Sequence, residues 1–71
     1  MSVNIVAPMP GMISAVLVQV GDVVKADEEL IILAAMKMEN PLCAPQDGKV
    51  KEVSVSEGDK VATSQVLIVL E

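Results

Sequence analysis

Apolar residues fall in short runs separated by clusters of Gly, Pro and Asp at intervals of about ten residues, the spacing of an all-β chain. The pattern predicts main strands near 3–7, 12–18, 29–35, 38–43, 49–55 and 66–70, with shorter ones at 23–24 and 60–61. A helix is disfavoured because Pro8, Pro10, Pro41, Pro45 and four glycines leave no window long enough. After Gly11 the apolar positions are Ile13, Val16 and Val18; after Gly48 they are Val50, Val53 and Val55. Strict alternation would bring the second valine one residue earlier, so each strand is expected to carry a bulge there. Gly21-Asp22 and Gly58-Asp59 read as turns in which glycine supplies a positive φ.

These parallels extend over the chain. Residues 1–34 align without a gap onto residues 38–71, leaving 35–37 as the link. From Ala7 to Ala34 there are 11 identities in 28 positions, among them Ala7/Ala44, Gly11/Gly48, Asp22/Asp59 and Leu30/Leu67. Roughly two or three would arise by chance at this valine-rich composition, so the repeat is real. Two such units pack most simply about a pseudo-two-fold axis, which carries the link onto the gap between Glu71 and Met1. Lys37 is therefore expected to protrude at one end of the molecule, with both termini at the other. The plainer alternative is an ordinary exposed hairpin lysine. The expected architecture is a flattened β-barrel or sandwich of two interlocked four-stranded sheets, a barrel-sandwich hybrid whose closure removes exposed edges. The Leu30-Ile31-Ile32-Leu33 run is expected to be buried on both faces.

Composition narrows the function. Seventy-one residues make one small domain, 1–71. The core must be aliphatic, since Phe, Tyr and Trp are absent while 13 valines favour strand. Cys43 is the only cysteine, so no disulfide forms within the chain; it is expected as a small buried hydrophobe on a strand, in a reducing compartment. No histidine is present, which argues against a structural zinc site. A net charge of −5 without arginine argues against nucleic acid and against an anionic membrane surface. The longest apolar stretch, Leu30 to Met36, is too short to insert in a bilayer, and no secretion signal opens the chain, so the cytoplasm is the expected compartment.

At Ala35-Met36-Lys37-Met38 a resemblance becomes specific. With Pro8-Met9-Pro10-Gly11 upstream and Ala44-Pro45-Gln46-Asp47-Gly48 downstream, all 71 residues resemble the biotinyl domain of the biotin carboxyl carrier family, within the wider class of biotin/lipoyl attachment domains. The resemblance implies that a biotin protein ligase joins Lys37 to biotin. The arm would then shuttle CO2 as carboxybiotin between a biotin carboxylase and a carboxyltransferase of a biotin-dependent carboxylase or decarboxylase. It implies a carrier without catalytic groups of its own; the isolated domain is expected to be a monomer. Met36 and Met38, two residues apart, are expected on one face as soft recognition and positioning neighbours, with Ala35 beside them; filler at a hairpin is the alternative. The uninterrupted repeat resembles the thumbless form, either a free-standing carrier or a domain excised from a longer chain. Ala34 departs from the usual Glu, and Asp27 and Ser64 from the usual Gly, so the turns at 27 and 64 are expected to differ. A lipoyl carrier domain of an acyl-transfer complex is the nearest rival. A Cu(I) site of Met9, Met12, Met36, Met38 and Cys43 would need the methionines to point inward together.

Overall fold

A computed structural model describes residues 2–71; Met1 lies outside them. Eight strands follow in order: β1 (Val3–Val6), β2 (Gly11–Val16), β3 (Val23–Val24), β4 (Glu29–Ala35), β5 (Met38–Cys43), β6 (Gly48–Val53), β7 (Lys60–Val61) and β8 (Val66–Leu70). They form two four-stranded sheets, in the orders β1-β8-β6-β3 and β5-β4-β2-β7. Adding 37 to each residue number turns β1, β2, β3 and β4 into β5, β6, β7 and β8. The same operation converts one sheet order into the other. Each sheet takes two strands from each repeat, so the halves interlock as expected.

Local bonding repeats with the same offset. Gly21 donates its amide to the Val50 carbonyl at 2.9 Å, and Gly58 donates to Ile13 at 2.8 Å. Gly21 and Gly58 have φ of 97° and 89°, as the Gly-Asp turns require. In each turn the aspartate closes a local ring: Asp22 Oδ2 accepts from the Gln19 amide and Asp59 Oδ2 from the Ser56 amide, both at 2.9 Å. Register slips between Ile13 and Ala15 against β4, and between Val50 and Glu52 against β8. These are the two anticipated bulges, at Ser14 and Lys51, and they bend the strands around the core.

The core holds Leu30, Ile31, Leu33, Leu67, Ile68, Leu70, Ile13, Val50, Val24 and Val61 at its centre. Its buried members are seven repeat-related pairs plus Ile5, whose mate Leu42 is half-buried. Each aliphatic side chain removed from water contributes about 1.5–3 kcal/mol. No charged or polar side chain is buried among the described residues.

Three expectations change. Ile32 and its mate Val69 are half-buried, so the apolar runs of β4 and β8 are not covered on both faces. Leu30, Ile31 and Leu33 are fully buried, so only the outward face at Ile32 is left partly open. Cys43 is exposed, as is its mate Val6. It is the last residue of β5, an edge strand whose Pro41 needs no ladder partner on the open side. Asp27 and Ser64, expected to alter their turns, share a φ of 68° and keep the left-handed conformation.

Candidate functional site: the hairpin tip at Lys37

Strands β4 and β5 pair antiparallel from Glu29↔Cys43 to Ala35↔Met38, leaving Met36 and Lys37 as a two-residue connection. Both have positive φ, 52° and 65°. Such a turn, with both central residues left-handed, matches the right-handed twist of the strands it joins and usually takes Asn and Gly. Here two long side chains adopt it, at a cost of roughly 1–2 kcal/mol per residue. The ladder on both sides holds them there. Backbone strain of this kind collects where a group must be presented.

The repeat locates the tip. The pair Leu33↔Asn40 corresponds to Leu70↔Val3 at the other end. Beyond Leu33↔Asn40 the hairpin runs on through Ala34↔Glu39 and Ala35↔Met38 to Lys37. Beyond Leu70↔Val3 lie the ends of the chain, so within residues 2–71 the termini and Lys37 occupy opposite ends of a body measuring 32 × 17 × 17 Å. Lys37 is exposed, and none of the side-chain hydrogen bonds among the described residues involves it.

The predicted neighbours separate. Ala35 is buried and ends β4; Met36 is 89% exposed and Met38 65%. The one-face expectation for the methionines assumed strand alternation, but the turn interrupts it between them. Met36 lines an open groove of about 490 Å³, whereas Met38 does not. With Met36 and Met38 exposed, the inward Cu(I) arrangement does not form. Glu39 is exposed and accepts a hydrogen bond from Ser14 Oγ at 2.8 Å, reaching across β4 to the bulge of β2.

The structure brings the upstream Pro-Met-Pro-Gly segment to this tip. Gly11 packs against Ala34 and Ala35, and no side chain fits there: a Cβ on Gly11 would lie 2.6 Å from the Ala34 carbonyl oxygen. Close strand approach, and not a left-handed backbone, is the reason for glycine at this position, since the positive-φ glycines are Gly21 and Gly58. The groove runs from Met36 over Ala34 and Ala35 of β4 and Met12 of β2 to Lys60 and Val61 of β7. Its Lys60 was not singled out from sequence; the exchange of apolar for polar residues between the repeats is the signal that marks it.

A family profile described as "Biotin-requiring enzyme" matches residues 3–70. The chain is 60% identical over 38 residues, 54% of its length, to the biotin carboxyl carrier protein of Streptococcus mutans, of which the match covers 29%. It is 54% identical over 41 residues, 58% of its length, to the glutaconyl-CoA decarboxylase subunit gamma of Acidaminococcus fermentans, covering 28% of that protein. Among solved structures, a single-chain, multi-domain long-chain acyl-CoA carboxylase superposes over 97% of this chain and 7% of its own, with a TM-score of 0.92 and 30% identity. The urea carboxylase of Kluyveromyces lactis does so over 100% of this chain and 6% of its own, with a TM-score of 0.93 and 28% identity. The chain thus spans under a third of the curated relatives it matches. With the sequence profile covering nearly every residue, the chain belongs to the biotinyl-domain family.

Proposed function

We propose that residues 1–71 form a biotin carboxyl carrier domain in which Lys37 holds biotin through an amide bond to its Nζ. The observation that carries this reading is the left-handed tip at Met36 and Lys37. It presents one primary amine clear of the core and opposite the chain ends, where an enzyme can surround it. The residues present fit the group, because amide formation asks only for an accessible amine on a backbone that does not yield. When bound, biotin supplies a ureido nitrogen that accepts and releases a carboxyl group. The chain's own residues hold and present: buried Ala35 fixes the base of the turn, and Met36 and Met38 offer soft apolar surface on either side of the lysine.

In this reading the domain is non-catalytic, monomeric when isolated, and acts in the cytoplasm. It meets a biotin protein ligase, then a biotin carboxylase and a carboxyltransferase in turn. The names of the Streptococcus and Acidaminococcus relatives support carriage within a carboxylase or decarboxylase. Among the described residues no helix is long and apolar enough to cross a membrane.

The test is intact mass after incubation with a biotin protein ligase, ATP and biotin. The expected result is a gain of one biotinyl group, absent from Lys37→Arg, with the variant's unfolding free energy within about 0.5 kcal/mol of the parent, as for an exposed surface change. No gain, with a lipoyl ligase succeeding instead, would overturn it in favour of a lipoyl carrier domain.

A further inference from the structure

The internal repeat supplies a comparison that isolates what the fold itself requires. The strand pairing that floors the groove beside Lys37 has a counterpart at the opposite end: Met12 pairs with Ala34, and their mates Lys49 and Glu71 exchange backbone hydrogen bonds at 3.2 and 2.8 Å. At the Lys37 end the side chains are Pro10, Met12 and Ala34; at the other end the equivalent positions carry Asp47, Lys49 and Glu71. The fold therefore accepts charged residues at these places. Apolar ones at the Lys37 end, with Met12 left 44% exposed, are not explained by packing. The exchange also runs in reverse, since Lys60 at the groove stands where Val23 stands at the far end.

We propose that this groove is the resting site of the biotinyl group carried on Lys37, an inference that rests on the reading above. Met36, which lines the groove, is bonded directly to Lys37, so a group on that lysine is tethered one residue from it. A short tether of this kind holds its ligand at an effective concentration of order mM, enough for a weak site to fill. The volume of about 490 Å³ falls within the range of small-molecule sites. The chemistry corresponds as well. The aliphatic chain and thioether ring of biotin are apolar and meet Met12, Ala34 and Met36. Lys60, the one polar side chain among the lining residues, is a donor for the ureido carbonyl oxygen. Docking in this open groove covers one face of the ring between visits to partner sites, and its weakness lets the arm leave.

The test compares unmodified and biotinylated protein by NMR, with intact mass read on each sample. Biotinylation is expected to shift the Met12 methyl and the Lys60 and Val61 amides, with nuclear Overhauser contacts from the ring protons to the Met12 methyl. The double variant Met12→Lys/Ala34→Glu copies the far end, which this fold already tolerates. It is expected to gain the same mass and to lose the Lys60 and Val61 shifts. Shifts confined to residues 36–38 in a biotinylated chain overturn the resting site alone, as do Lys60 and Val61 shifts that survive in the double variant. A double variant that takes no biotin overturns it with the ligase as the groove's occupant. A parent chain that takes no biotin overturns this inference and the carrier reading together.

Discussion

Gly11 and Ala34 approach so closely that a Cβ on the glycine would stand 2.6 Å from the Ala34 carbonyl oxygen, with the Ala35 Cβ at 3.1 Å. Backbone at that distance cannot swing aside as a side-chain end would. Gly11 thus allows β2 to lie against the end of β4 from which the Lys37 turn springs. Its mate Gly48 is less confined, with the Glu71 oxygen at 3.1 Å and the Leu70 Cβ at 3.5 Å. The two glycines are equivalent in the repeat and unequal in their surroundings.

Gly11→Ala is accordingly expected to destabilise the domain by about 1–3 kcal/mol, as overpacking does. Gly48→Ala, which needs a shift of only a few tenths of an ångström, should cost less. Urea unfolding of both variants checks the order. Equal losses would mean that the strand approach at Ala34 relaxes without strain.

Ser64 holds a φ of 68° on an exposed turn, where its side chain gains little from neighbours. Glycine there would relieve left-handed strain of roughly 1–2 kcal/mol while increasing the entropy lost on folding. Ser64→Gly is expected to stabilise by about 1 kcal/mol after that offset. Asp27→Gly should gain less, since Asp visits this conformation more readily. Thermal unfolding of the two variants gives the sign directly.

The aspartates of the Gly-Asp turns make the same bond in both repeats, each Oδ2 accepting an amide three residues earlier at 2.9 Å. Asp22→Ala and Asp59→Ala should each lose about 1 kcal/mol, the net worth of such a hydrogen bond. The expected result is near equality of the two losses by urea unfolding. A large difference would show that the repeats are mechanically unlike despite their shared geometry.

Cys43 is exposed at the end of an edge strand. A neutral thiol reagent such as a maleimide is expected to label the folded chain without waiting for global unfolding. Labelling whose rate follows the unfolding rate would instead put the thiol inside.

Much of this fold is legible along the chain because its signals are local. The eight strands lie within a residue or two of their expected ranges, since apolar spacing and turn residues report face and reversal directly. The bulges at Ser14 and Lys51 show as a one-residue delay in the valine pattern. Other features depend on what lies across a sheet. Cys43 looks like a core residue by type, but at the end of an edge strand it is exposed. The need for glycine at position 11 is set by a carbonyl contributed by β4, 23 residues later in the chain.

For the site, the sequence by itself determined that one lysine lies at the link between two copies, and that a pseudo-two-fold axis opposes this link to the chain ends. Symmetry and chain connectivity suffice for that much. Only the tertiary structure decided that Met36 and Lys37 are both left-handed, that Met36 and not Met38 borders a groove, and that Met12 and Lys60 share it. Those outcomes follow from strand register and sheet closure, which bring β2, β4 and β7 to one end of the molecule. Pattern within a strand records which way a side chain points; it carries no record of which distant residues will meet it there.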